Sequence, residues 1–178
     1  NKKVLLFWYP KDFTFVCPTE LHAFQAALPE FDKRNTLVIG ASCDTNEVHF
    51  AWLNTPKNNG GIEGVTYPIL ADTNRNLANI LGILDIESTS YSEDTDSVII
   101  EGSNVTYRAT YLIDETGKIF HESVNDMPLG RNVNEYLRMV DAYTHIQVKG
   151  EVCPANWEAG KEAMNADRKS TAEYLSLN

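Results

Sequence analysis

Cys17 is the residue of this chain best placed for chemistry. It stands in Pro10-Lys11-Asp12-Phe13-Thr14-Phe15-Val16-Cys17-Pro18-Thr19-Glu20. The apolar run Val4-Leu5-Leu6-Phe7-Trp8-Tyr9 before it reads as a buried strand. After it, Leu21, Phe24, Leu28 and Phe31 recur at helical spacing. Cys17 is therefore expected where a loop enters a helix, as the N-cap, with Pro18 as the first helical residue. A helix N-terminus carries partial positive charge and unpaired N–H groups, and both favour a thiolate over a thiol. Thr14, three residues upstream, can point its hydroxyl at the same sulfur. The competing reading is a buried, inert cysteine that packs as a small hydrophobe. Flanking polar groups and position favour the reactive thiolate.

Two further cysteines differ in setting. Cys43 ends an expected core strand and reads as a structural thiol. Cys153 lies in a C-terminal stretch with little apolar periodicity, which on its own buries little surface. Three cysteines suit a reducing compartment with catalytic thiols better than a disulfide scaffold. His22, His49, His121 and His145 form no ligand spacing with the cysteines, so no metal is expected. His49 and Trp52 share a helical face and read as packing and orienting groups. Phe7, Trp8, Tyr9 and Phe15 read as core or interface aromatics rather than a cofactor box.

The elements that must position these groups alternate. Thr36–Ser42 reads as a second core strand and Thr45–Leu53 as a helix capped by Asp44 or Thr45. A turn follows at Asn58-Asn59-Gly60-Gly61, then a short strand at Tyr67–Leu70 and a short helix at Arg75–Leu81. Thr110–Ile113 and Ile119–Ser123 flank Asp114-Glu115-Thr116-Gly117, a hairpin signal. Val133, Leu137, Val140 and Ile146 mark a last long helix. The pattern is that of an α/β fold with a mixed central sheet flanked by helices. We divide the chain into one domain over 1–147 and an extended C-terminal tail over 148–178.

Phe13-Thr14-Phe15-Val16-Cys17-Pro18-Thr19-Glu20 resembles the active-site signature of the typical 2-Cys peroxiredoxins, thiol peroxidases of thioredoxin-like fold. Gly150-Glu151-Val152-Cys153-Pro154-Ala155-Asn156-Trp157 resembles the resolving-cysteine motif of the same family. His49–Pro56 and Val124–Arg131 add further similarity, so the resemblance spans nearly the whole chain. It implies that Cys17 attacks hydrogen peroxide or an organic hydroperoxide and becomes a sulfenic acid. It implies that Cys153 then condenses with it in an intersubunit disulfide of a head-to-tail homodimer, after the first helical turn around Cys17 unwinds. A decameric ring of dimers is left open. Thioredoxin or a dedicated disulfide reductase would restore the thiols, and no cofactor is called for. Pro10, Thr14 and Arg108 match the family's site residues. Glu20 and Arg131 match a supporting ion pair that orients Arg108. A guanidinium keeps its charge, so it can both stabilise the thiolate and polarise the peroxide.

Three stretches depart from the family pattern. The segment 87–106 is an insertion, read as an acidic loop followed by a β-hairpin turning at Glu101-Gly102-Ser103. A Gly-Gly-Leu-Gly loop and a Tyr-Phe tail, associated in the family with sensitivity to overoxidation, are altered to Gly60-Gly61-Ile62-Glu63-Gly64 and Tyr174-Leu175.

Composition narrows the partners. A chain of 178 residues with 43% hydrophobic content can build one ordinary core. Net charge is −10, without a Lys/Arg cluster, which disfavours nucleic acid and anionic membranes. No apolar run approaches the roughly 20 residues of a membrane span. A cytoplasmic location is expected. The chain starts at Asn1, almost directly on a strand, so a processed or truncated N-terminus and a lost targeting segment stay open. A general thiol–disulfide oxidoreductase would prefer Cys-x-x-Cys, which is missing. A ring-forming holdase or redox sensor is a third reading.

Overall fold

The computed structural model describes residues 1–177. Its first compact unit is Asn1–Arg131 and its second Asn132–Asn178. The division at 147/148 expected from the sequence falls inside the second unit, near the end of a helix.

The first unit is built on five strands. They are β1 (Lys3–Trp8), β2 (Thr36–Ser42), β3 (Ile69–Ala71), β6 (Arg108–Ile113) and β7 (Ile119–Asn125), in the order β3-β2-β1-β6-β7. β1 pairs parallel with β2 and antiparallel with β6, so the sheet is mixed, as expected. The register places Trp8 beside Ala41 and Phe7 beside Thr110. The C-terminal ends of β1 and β2 and the start of β6 therefore meet at one sheet edge. Arg108 opposite Asn125 brings the end of β7 there too. Crevices outside the carboxyl ends of strands, where connections diverge, are the usual ligand sites of open α/β sheets.

Helix α1 (Cys17–Lys33) packs on β2, and its apolar face closes the core. Phe24 stacks on Phe7 with ring centroids 4.2 Å apart. Gly40 on β2 gives this packing room, since a Cβ there would meet the Phe7 ring at 3.3 Å and Tyr67 at 3.4 Å. Helix α2 (Asn46–Leu53) starts at Thr45, whose hydroxyl accepts from the Val48 N–H. The loop after α2 is locked by Gly61, where a Cβ would fall 1.9 Å from the Thr55 carbonyl oxygen. The short helix α3 (Asn76–Ile80) follows β3.

The start of α1 differs from expectation. Val16 is the N-cap, in helical conformation and without a side-chain cap, and Cys17 is the first residue of the helix. Pro18 then occupies the second position, where it still lacks only an N–H that would have no intrahelical partner.

The insertion also differs. Strands β4 (Ser88–Ser92) and β5 (Ser97–Glu101) pair across a turn at 93–96, so the acidic stretch is the hairpin's tip rather than a loop before it. Ser-Thr-Ser-Tyr-Ser alternates with period two, and this patterning was hidden by its polarity. Gly102, with φ of 117°, sits at the base, where a Cβ would approach the Asp85 carbonyl oxygen at 2.5 Å. Asp85 ties that base down, accepting from the Ser103 hydroxyl at 2.6 Å and the Tyr107 hydroxyl at 2.9 Å.

In the second unit, α4 (Val133–Lys149) begins at Asn132, whose side chain accepts from the Asn134 N–H. The stretch after it holds a bridge between Val152 and Met164 and a buried Trp157. The helix α5 (Arg168–Leu177), unforeseen from the sequence, buries none of its side chains. Among the described residues no helix is long and apolar enough to cross a membrane.

Candidate active site

Cys17 opens α1, so its sulfur lies at the positive end of a 17-residue helix. The Thr14 hydroxyl lies 3.0 Å from Sγ. The Arg108 Nη1 points at the same sulfur from the first residue of β6, at 3.5 Å. One neutral and one charged donor thus converge on it from two connections at the sheet edge. Pro10 is buried and leads the β1–α1 connection away from Tyr9.

Arg108 is held on two sides. Its Nη1 donates to Glu20 Oε2 at 2.7 Å and its Nε to the Met127 carbonyl at 2.6 Å. Glu20, one turn along α1, is gripped by Arg131 through the backbone N–H at 2.9 Å, Nε at 2.8 Å and Nη2 at 2.8 Å. Arg131 also donates to the Ala109 carbonyl at 3.0 Å and lies over the Phe7 ring, 5.0 Å from its centroid. Burial alone would push the Glu20 carboxyl up. The hydrogen bonds and charge of Arg131, then the charge of Arg108, outweigh burial and hold it below the ordinary carboxylate value. A carboxylate so fixed keeps Arg108 aimed at the sulfur. The Met127 carbonyl lies in the Val124–Arg131 motif, but its role required the β6–β7 register to see.

The sulfur is less open than a peroxide-reactive thiolate suggests. Cys17 has no exposed surface, whereas Phe15 two residues before it is 93% exposed. Phe15 is thus not a core residue, unlike Phe7, Trp8 and Tyr9. The sulfur of Cys17 is therefore not at the surface in this conformation. The first turn of α1 has no side-chain cap to hold it closed.

A buried polar cluster supports the loop and was missed from the sequence. The Asp12 carboxylate accepts from the Tyr9 hydroxyl at 2.8 Å and pairs with His49 Nδ1 at 2.7 Å. Burial opposes charge on His49, but the Asp12 hydrogen bond and charge prevail and raise its pKa. His49 is therefore an orienting group, as its helical face suggested. Asp12 and Asp44 are ordinary loop acids in sequence. Only the parallel β1–β2 pairing brings their connections together.

All three cysteines are free thiols. Cys43 packs partly buried against Trp8, Ala41 and their neighbours, and burial pushes its thiol up to about 11. Cys153 is in the second unit, with Sγ 3.6 Å from the Ala142 carbonyl oxygen. Burial first, and the Glu151 charge second, raise its thiol pKa against the opposing Arg138. Among the described residues no cluster of His, Cys, Asp and Glu could hold a metal ion.

Comparison with known proteins agrees with this arrangement. Residues 1–122 match the model of the AhpC/TSA family, and residues 142–177 that of the C-terminal domain of 1-Cys peroxiredoxin. The alkyl hydroperoxide reductase C of Helicobacter pylori is 45% identical over 178 residues, covering 100% of this chain and 81% of that protein. Peroxiredoxin-1 of Gekko japonicus is 42% identical over 176 residues, covering 99% of this chain and 81% of that one. The reduced 2-Cys peroxiredoxin of Plasmodium vivax superposes with a TM-score of 0.87 at 39% identity, over 99% of this chain and 83% of that one. A thiol at a helix N-terminus, met by a threonine and a buried arginine, on a sheet shared with these relatives, leads to one conclusion: the chain belongs to the AhpC/TSA family and is a peroxiredoxin.

Proposed function

We propose that the chain reduces hydrogen peroxide and organic hydroperoxides through Cys17. The observation that carries this is the pair of donors on the Cys17 sulfur, Thr14 at 3.0 Å and Arg108 at 3.5 Å. The thiolate attacks one peroxide oxygen. An S–O bond forms, the O–O bond breaks, and the other oxygen leaves with a proton as water or alcohol. Sulfur is oxidised by two electrons to a sulfenic acid. Fixed donors aimed where charge develops lower the barrier to this step.

Cys153 of a second subunit then attacks the sulfenic sulfur, an S–S bond forms, and water leaves. The raised pKa of Cys153 makes this step faster as the pH rises. Thioredoxin or a dedicated disulfide reductase returns both thiols. The working form is a homodimer, able to close into a ring of dimers, and a reducing cytoplasm suits its free cysteines.

The test is the oxidised protein on a non-reducing gel, followed by peroxide consumption with thioredoxin and its reductase or with a flavoprotein reductase. A dimer band is expected that disappears in both C17S and C153S. A band that persists without Cys153 would assign the disulfide to another thiol.

A further inference from the structure

The Thr14 hydroxyl has one proton and two acceptors, the Lys11 carbonyl oxygen at 2.8 Å and the Cys17 sulfur at 3.0 Å. The Lys11 carbonyl belongs to the same peptide group as the Asp12 N–H. That N–H donates to Asp44 Oδ2 at 2.9 Å. Asp44 is fixed in turn, since the Ser42 hydroxyl donates to the same Oδ2 at 2.8 Å and the Asp44 N–H donates to Ser42 Oγ at 3.0 Å. Ser42 ends β2 and is fully buried. A carboxylate on the β2–α2 connection thus grips one end of a peptide group on the β1–α1 connection. The other end of that peptide group holds the hydroxyl that faces the reactive sulfur.

We propose that Asp44 is a positioning residue for the peroxide reaction, clamping the Lys11–Asp12 peptide group so that Thr14 presents its oxygen to the Cys17 sulfur and to the arriving peroxide. This rests on Cys17 being the peroxide-reactive thiol.

Two physical effects act together. A carboxylate that accepts from a peptide N–H polarises that peptide and makes its carbonyl oxygen a stronger acceptor. The Lys11 oxygen then anchors the Thr14 hydroxyl, and Oγ1 is held 3.0 Å from the sulfur, where the peroxide arrives. The second effect is steric. Phe13, between Asp12 and Thr14, has φ of 54°, a left-handed conformation unfavourable for a bulky residue. Such a backbone persists only when its surroundings hold it. Tyr9 and His49 hold the Asp12 side chain, but among the described residues it is Asp44 that accepts from the peptide N–H of the group that orients Thr14. Without Asp44 that group is free to turn, and the hydroxyl loses its fixed direction.

The experiment is stopped-flow oxidation of the reduced protein by hydrogen peroxide in wild type, D44A, D44N, T14V and D44A/T14V. Alkylation of Cys17 by iodoacetamide across pH, read on the Cys17 peptide by mass spectrometry, is measured in parallel. We expect D44A to slow peroxide oxidation about tenfold, as misplaced catalytic groups do. D44N keeps an acceptor oxygen in place and should return to within about threefold of wild type. The double variant should be no slower than T14V alone, because Asp44 acts only through Thr14. The alkylation profile of D44A should change far less than the peroxide rate, since the Arg108 contact is untouched. A merely structural Asp44 would shift both reactions equally, leave D44N as slow as D44A, or make the two losses multiply, and any of these overturns the proposal. Should D44A fail to fold, S42A removes the hydroxyl that makes both hydrogen bonds fixing Asp44. It is expected to slow oxidation about threefold and to have no effect in the T14V background. A wild-type Cys17 that alkylates but ignores peroxide would sink the peroxidase reading itself, and that failure is visible before any variant is made.

Discussion

Glu20 sits between two guanidinium groups with almost no exposed surface, and it links the sulfur's arginine to the rest of the core. Breaking a buried pair by removing one partner typically costs about 3–5 kcal/mol, because a charge stays buried without compensation. R131M should therefore destabilise the fold by roughly that amount in a denaturant melt. It should also slow peroxide oxidation, since Glu20 would no longer be held against Arg108. Because the folded Glu20 pKa is depressed, its stabilisation is complete above the ordinary value of 4.5 and is lost as the pH falls through the folded value. His49 runs in the opposite direction. Its folded pKa is raised above 6.5, so its stabilisation is complete below that value and is lost as the pH rises through the folded one. Urea melts of H49Q from about pH 6 to about pH 9 should show a flatter decline than wild type. An unchanged decline would remove His49 from the account. Cys43 should be dispensable, with C43S oxidised by peroxide at near the wild-type rate. Its thiol, pushed up to about 11 by burial against the opposing charge of Arg75, is protonated at neutral pH. A large loss of rate without unfolding would contradict this. The Cys17–Thr14 pair was legible in the sequence because both lie within one local turn. Arg108, Glu20 and Arg131 were legible only through family resemblance, since the contact between them depends on β1–β6 pairing.

At the scale of elements, the proposed cycle makes the first turn of α1 decide the fate of oxidised Cys17. It must open for disulfide formation, and the sulfenic acid is exposed to a second peroxide while it stays closed. The loop 60–64 is tied to α1 and to α2. His22 contacts the Gly61 carbonyl at 3.1 Å, and the Trp52 indole donates to the Gly60 carbonyl at 2.9 Å. Ile62 in that loop is fully buried while Glu63 points to solvent, so the acidic substitution itself disturbs no packing. In the second unit, Leu175 of α5 is 69% exposed, where the family's Tyr-Phe tail would carry a second ring. Sulfinic acid on Cys17 should therefore accumulate slowly over repeated turnovers at rising peroxide, as followed by mass spectrometry of the Cys17 peptide. L175F should not lower it further. Accumulation at modest peroxide equal to that of a relative with an intact Tyr-Phe tail would contradict the reasoning. The core strands were readable because their apolar runs are long and bounded by turns. The insertion hairpin was misread because β4 is nearly all serine and threonine. Its pairing shows in alternation, with Thr89 and Tyr91 opposite Ile100 and Val98, rather than in hydrophobicity.

The chain as a whole joins a sheet unit that holds Cys17 to a second unit that holds Cys153. The tail's lack of apolar periodicity implies that on its own it buries little surface. Single anchors such as Trp157, whose indole donates to the Lys161 carbonyl at 3.1 Å, order it without a periodic stripe. The division of labour between Cys17 and Cys153 is the central claim, and single-turnover oxidation of the reduced protein by a small excess of hydrogen peroxide tests it most directly. The account predicts that C17S consumes no peroxide. C153S should consume one equivalent at the wild-type rate, stop at the sulfenic acid, and fail to turn over with a dithiol donor. Equal loss of the first turnover in both variants, or peroxide consumption by C17S, would contradict it.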